Sequence, residues 1–115
     1  MDHLDHENLD VDQRSLEFLA LVLRVVGQLP RGEREIREQL KRAAMSIPLN
    51  IAEGAGKPTP ADRARFHSIA RGSAMECGAL LDVCRIAGVV SAEETAQGKA
   101  LLVRVVAMLT KMCRT

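Results

Sequence analysis

The sequence predicts an all-α fold: an antiparallel up-down four-helix bundle whose second helix is kinked at Pro48. Three observations carry this. Apolar residues recur at spacings of three and four along four long stretches, each divided from the next by a short segment rich in Gly, Pro or Ser. The apolar residues are aliphatic almost throughout, since 47% of the chain is hydrophobic but it holds two Phe and no Trp or Tyr. That palette suits interlocking helices. At 115 residues the chain makes one domain, long enough to bury ~65–70% of the surface its unfolded form would expose. Connections this short return each helix beside its predecessor.

Residues 1–11 are expected to be an acidic, flexible arm, with residues 12–115 forming the bundle. Asp2, Asp5, Glu7, Asp10 and Asp12 fall in the first twelve residues, which hold no Lys or Arg. The leader therefore carries −5, and the rest, with sixteen bases against ten acids, carries +6. His3 and His6 sit among these acids and are expected to be part of a polar tail rather than a metal site. Asp10 or Asp12 is the expected N-cap of helix one.

Helix one is expected over residues 12–28. Nine of the eleven residues from 16 to 26 are apolar, and only Glu17 and Arg24 interrupt them. An outer helix of a bundle needs about three apolar positions in seven, so this one should be covered from two sides. Pro30 and Gly32 make the turn.

Helix two opens near Arg31. Glu33 with Arg37, and Glu38 with Arg42, have the favourable i,i+4 order, each pair worth ~0.2–0.5 kcal/mol. Against that self-paired reading, Arg34, Arg37 and Lys41 share one side of the helix as a basic ridge. Leu40, Ala43, Ala44, Ile47 and Ile51 form the apolar face, and Arg42, Ser46, Asn50 and Glu53 form a polar stripe beside it. Pro48 denies Ala44 a hydrogen-bond donor, so the stripe is expected to be a structural network holding a kink, with Glu76 of the next helix facing it. An enzymatic reading would make Glu53 a general acid or base and Asn50 its orienting group. No nucleophile, paired acid or metal set accompanies them, so no enzymatic activity, cofactor or metal is expected.

Helix three follows the 55–59 linker. Thr59 is the expected N-cap, with Pro60 at the first helical position. Ala70, Ala74 and Gly78, joined by Gly72 and Ser73, make a small-residue row that should let helix two approach closely. Phe66, Ile69, Leu80, Val83 and Ile86 or Ala87 are expected on the apolar side. His67 is expected to be exposed or hydrogen-bonded. Arg63, Arg65 and Arg71 add positive charge near the helix start. Gly88 should end this helix, and Ser91 with Glu94 should cap helix four, which runs to residue 113. Nine of the ten residues from 100 to 109 are apolar; with helix one, this excess predicts self-association.

Cys77 and Cys84 share a helix face but lie ~10 Å apart along its axis, beyond disulfide reach. Buried, reduced thiols are expected. No apolar run approaches the ~20 residues that span a bilayer, and the acidic start lacks a signal peptide's basic region; a cytoplasmic, non-membrane protein is expected.

Several segments together resemble a known signature: Arg42-Ala43-Ala44, Ser46-Ile47-Pro48, Asn50-Ile51-Ala52-Glu53-Gly54, and Ile69-Ala70-Arg71-Gly72-Ser73 with Glu76. Leu29-Pro30 and Glu33 fit its first turn. The resemblance is to the four-helix-bundle proteins encoded in intervening sequences of bacterial 23S rRNA genes, relatives of the accessory variability determinant of diversity-generating retroelements. It spans residues 29–88. The family often has an aromatic at position 55 and an arginine after Gly56. This chain has Ala55 and Lys57, which keeps a positive charge there and removes a stacking group. The resemblance implies a homo-oligomer closed into a ring, a pentamer, that binds RNA or DNA as an accessory protein. The alternative it implies is a protein-interaction scaffold, for instance a partner of a reverse transcriptase, without direct nucleic-acid binding. The expected nucleic-acid-binding residues are Arg31, Arg34, Arg37, Lys41, Lys57, Arg63 and Arg65. With so few aromatics, recognition should be electrostatic. The expected structural polar network is Arg42, Asn50, Glu53 and Glu76.

Overall fold

The computed structural model describes residues 4–6 and 9–114. Asp2, His3 and Glu7 of the acidic leader lie outside the described residues. Helix α1 spans Asp10–Gly27, α2 Arg34–Ala55, α3 Pro60–Ile86 and α4 Ala92–Met112, with a 3-10 turn over Arg31–Glu33 leading into α2. No strand occurs among the described residues.

Local chemistry sets most of the helix ends. At the start of α3, Thr59 Oγ1 accepts from the Asp62 N–H at 3.2 Å, and Pro60 opens the helix. At its end, Gly88 takes a φ of 74°. The N–H groups of Gly88 and Val89 then turn back onto the carbonyls of Arg85 and Cys84, both at 3.0 Å, the paired closure that a left-handed residue permits. Ser91 and Glu94 cap α4 reciprocally: the Glu94 N–H donates to Ser91 Oγ at 3.0 Å, and the Ser91 N–H to Glu94 Oε1 at 3.2 Å.

Helix α1 departs from expectation. Its N-cap is Leu9, which has no side chain to serve as a cap, and neither Asp10 nor Asp12 fills that role. Both carboxylates instead stand in the first turn, where they meet the positive end of the helix dipole. The helix begins at Asp10, two residues before the expected Asp12, and Val11 and Asp12 are 2% and 3% exposed.

Helix α2 continues on both sides of Pro48. The proline removes the donor that would serve the Ala44 carbonyl, which is the physical cause of a kink. The bundle closes as a square. Helix α1 packs on α2 and α4, α3 packs on α2 and α4, and the two diagonals make no backbone contact. The long dimension, 44 Å, matches the ~40 Å expected of the 27-residue α3.

The face that α3 buries is a correction. Of the residues expected inside, only Leu80 is buried; Phe66 is half-buried, and Ile69, Val83 and Ile86 are 45%, 49% and 79% exposed. The buried stripe is Ala70, Ala74, Cys77, Leu81 and Cys84. Two apolar stripes run along α3, and the smaller-volume one turns inward because it lets α2 come closest. The small-residue row also divides. Gly78 turns toward α4, where an added Cβ would sit 3.9 Å from Leu102 Cδ1, and Gly72 faces open space. Close approach occurs at two other glycines. A Cβ on Gly54 would lie 3.1 Å from both His67 Nε2 and Phe66 Cβ, and one on Gly98 would lie 2.8 Å from Leu81 Cδ1.

Candidate nucleic-acid interface

The basic residues singled out by the sequence fall into two groups at opposite ends of α2. Arg31, Arg34 and Arg37 stand at its start, and Lys57, Arg63 and Arg65 flank the turn into α3. Some 23 residues at 1.5 Å per residue separate Arg34 from Lys57, roughly 34 Å. That is several Debye lengths at physiological salt, so each group attracts an anion independently. Lys41 lies between, half-buried.

The helical ion pairs expected for the first group are absent among the described residues; neither Glu33–Arg37 nor Glu38–Arg42 forms. Arg37 reaches back instead, its Nη2 donating to the Pro30 carbonyl at 3.0 Å and more weakly to that of Leu29 at 3.4 Å. Both carbonyls belong to the turn between α1 and α2, where that of Pro30 also accepts the Glu33 N–H at 3.0 Å, so the guanidinium fastens the turn to the first part of α2. Arg31 and Arg34 are exposed and make no ion pair among the described residues.

The second group is tied to backbone and ring. Arg63 Nη1 donates to the Lys57 carbonyl at 3.0 Å. Lys57 Nζ lies 3.4 Å from Glu53 Oε2 and 5.1 Å from the Phe66 ring centre, and Arg65 Cζ lies 4.9 Å from the same centre. The single aromatic near this turn is therefore engaged by two cations.

The polar stripe of α2 meets α3 through serine. Asn50 Nδ2 donates to the Ser46 carbonyl at 2.8 Å and to Ser46 Oγ at 3.0 Å, and the Ser46 and Ser73 hydroxyls are 2.8 Å apart. The Asn50 amide thus serves Ser46 rather than Ala44, because a side chain four residues on reaches back one turn. Arg42 and Glu76 are exposed at the rim of a cavity of about 170 Å³ that Ser46 and Ser73 also line, without coming into ion-pair contact. Glu53 points to Lys57.

His67 is buried at 5% exposure, with Nδ1 3.4 Å from the Met112 carbonyl and Nε2 without a partner. One side of the bundle is apolar and open. Met75, Gly78 and Ala79 of α3 with Leu102, Val103 and Val106 of α4 line a groove of about 550 Å³, and the Asp82–Lys99 ion pair stands beside it. The exposed apolar excess, expected on helices one and four, gathers most on α3, with Ile69, Met75, Val83 and Ile86; α1 exposes Leu16 and Leu23, and α4 exposes Val103. Sequence reasoning missed this groove because its walls come from residues 20 to 30 positions apart.

The thiols lie as expected. Cys77 and Cys84 are buried and free, and Cys113 is half-buried. Burial, helped by the Glu76 charge, pushes Cys77 up to about 12. Burial and then Glu33 push Cys84 upward. Among the described residues, no three His, Cys, Asp or Glu side chains gather to hold a metal ion, and no helix is long and apolar enough to cross a membrane.

The family model for the 23S rRNA-intervening sequence protein matches residues 7–111. A solved structure from Bacteroides thetaiotaomicron, described as a protein of unknown function from the S23 ribosomal protein family, superposes with a TM-score of 0.83 at 22% identity. The alignment covers 91% of this chain and 99% of that one, a likeness of fold. No curated protein is significantly similar to the chain.

Proposed function

Since the chain belongs to the 23S rRNA-intervening sequence protein family, we propose that it is a non-enzymatic, self-associating accessory protein that binds nucleic-acid backbones electrostatically. One observation carries the reading: among the described residues, Arg31, Arg34, Arg37, Lys41, Arg63 and Arg65 have no carboxylate partner. Cations left unpaired by their own protein gain most from phosphate, whose condensed counterions they release. Lys57, shared between Glu53 and Phe66, extends the second group. A ring of subunits, for which a pentamer is the form proposed, would repeat both groups and add weak contacts through effective concentration.

The test titrates mixed-sequence RNA and DNA at two salt concentrations. Wild type should bind more weakly as salt rises, and a variant with Arg34, Arg37 and Lys41 changed to Gln should bind more weakly with a shallower salt slope. Removal of the acidic leader should tighten binding. The cut belongs before Leu9, because Val11 and Asp12 are part of the folded helix. Failure of wild type to bind at low salt rejects the proposal.

The apolar groove favours a second reading, a scaffold for another protein such as a reverse transcriptase. Light scattering separates self-association from hetero-association, since a monomer at micromolar concentration would leave the groove for a different partner.

A further inference from the structure

Arg71 belongs to neither group of cations, yet its side chain is held in place. It lies on the side of α3 that meets α4, half-buried, and its Nε donates to Thr110 Oγ1 at 2.8 Å. The Thr110 hydroxyl donates its one proton to the Val106 carbonyl at 2.7 Å, so its lone pair faces the guanidinium. The hydrogen bonds therefore have a single direction: Arg71 gives, Thr110 accepts and passes on. No carboxylate stands within ion-pair distance of Arg71 among the described residues. A guanidinium partly withdrawn from water and anchored by a neutral hydroxyl has lost hydration without regaining a counter-charge. Its two terminal nitrogens remain available, and their fork matches two oxygens of one phosphate.

The surroundings extend the positive field. The Met112 carbonyl meets His67, so the chain after α4, with Arg114, leaves the bundle beside the part of α3 that carries Arg63 and Arg71. The nearby acids of α1 stand on the corner diagonal to α3, where Arg14 lies 3.8 Å from Asp10 and 3.0 Å from Glu17. Arg14 offsets only part of the charge on α1, but on α3 and α4 at this end Arg63, Arg65, Arg71, Lys111 and Arg114 outnumber Asp62, so the α3–α4 corner is positive.

We propose that Arg71 is a phosphate contact of the nucleic-acid surface, holding a phosphodiester through its terminal nitrogens while Thr110 acts as its positioning residue. This rests on the electrostatic reading above and adds a contact between α3 and α4 that the two α2-end groups do not include. Phosphodiester is common to RNA and DNA, so both should use it.

The experiment measures fluorescence anisotropy of labelled RNA and DNA strands of one sequence at several salt concentrations. Wild type is compared with Arg71→Gln, Arg71→Lys, Thr110→Val and a Lys99→Gln control, whose cation is already paired with Asp82 and belongs to neither group, each checked for fold and assembly. Arg71→Gln should weaken binding about tenfold, the loss of one charge-assisted contact, and reduce the salt slope by about 0.7 on single strands. Arg71→Lys should keep the slope and lose part of the affinity. Thr110→Val should weaken binding with the slope unchanged, which a mere loss of stability would not do. The Lys99 control should stay within about twofold, as expected for a cation outside the proposed contacts under salt. If wild type binds and Arg71→Gln matches it, or the control loses as much, this inference falls and the broader reading stands. An effect confined to RNA or to DNA would overturn the backbone assignment. No binding by wild type at low salt would remove both.

Discussion

Helix α3 meets its two neighbours in different ways. Toward α2 the seam is tighter, with a cavity of about 170 Å³: Ser46 and Ser73 bond across it, and Gly54 lets the α2 backbone rest against Phe66 and His67. Toward α4 the seam gapes into a groove of about 550 Å³, although Gly78 lies along it. Small residues on one helix do not bring a neighbour close unless the neighbour is also small. Helix α2 offers Ala43, Ser46 and Gly54, whereas α4 offers Leu102, Val103 and Val106, whose bulk holds the axes apart. A seam of small, hydrogen-bonded residues gives rigidity, and a seam of large and small residues gives a surface for binding.

Four substitutions test that contrast. The largest effect is expected at Gly54→Ala. The new methyl would press on the Phe66 Cβ, which is fixed to the α3 backbone, and on the buried His67 ring. Overpacking should cost ~1–3 kcal/mol, only partly offset by the ~1 kcal/mol gain in helix propensity. Thermal melts should show a clear loss; a melting point at or above wild type would mean the seam is loose.

Asn50→Ala comes next, at ~1 kcal/mol, since it removes two donations to Ser46 while the Ser46–Ser73 bond survives. An unchanged urea midpoint would show that the serine pair alone closes the seam. Gly98→Ala should matter less, with a net change under about 1 kcal/mol. The obstructing atom there is a Leu81 methyl at the end of a rotatable side chain, although the Phe18 ring at 3.4 Å limits its escape. If it proves more damaging than Gly54→Ala, the ranking of stiff over flexible neighbours is wrong. Smallest of all, Glu76→Ala should stay within about 0.5 kcal/mol, as for other exposed substitutions. A larger loss would place Glu76 in the network after all.

The thiols give an independent check on core integrity. A thiol reagent at neutral pH should modify Cys113 in the native protein and reach Cys77 and Cys84 only on unfolding, because burial keeps both protonated and inaccessible. Rapid native modification of Cys77 would contradict the packing of α3.

Both ends of α3 and the start of α4 were legible because they depend on a few neighbouring atoms. Thr59-Pro60, Gly88 and the Ser91/Glu94 pair act within one turn, so residue type and spacing suffice. The start of α1 was misread because two aspartates in a first turn look the same in sequence whether they cap the helix or face its dipole. The sequence also marked a small-residue row and a bulkier apolar side on α3, and it marked Ser46 and Asn50 as one polar stripe. Which α3 stripe turns inward was decided in three dimensions, by whichever surface let α2 approach most closely. Arg71 and Thr110 are 39 residues apart, and no local pattern joins them. Their meeting depends on the register of α3 against α4, which is fixed by the packing of side chains along the whole length of the two helices rather than by any short segment of either.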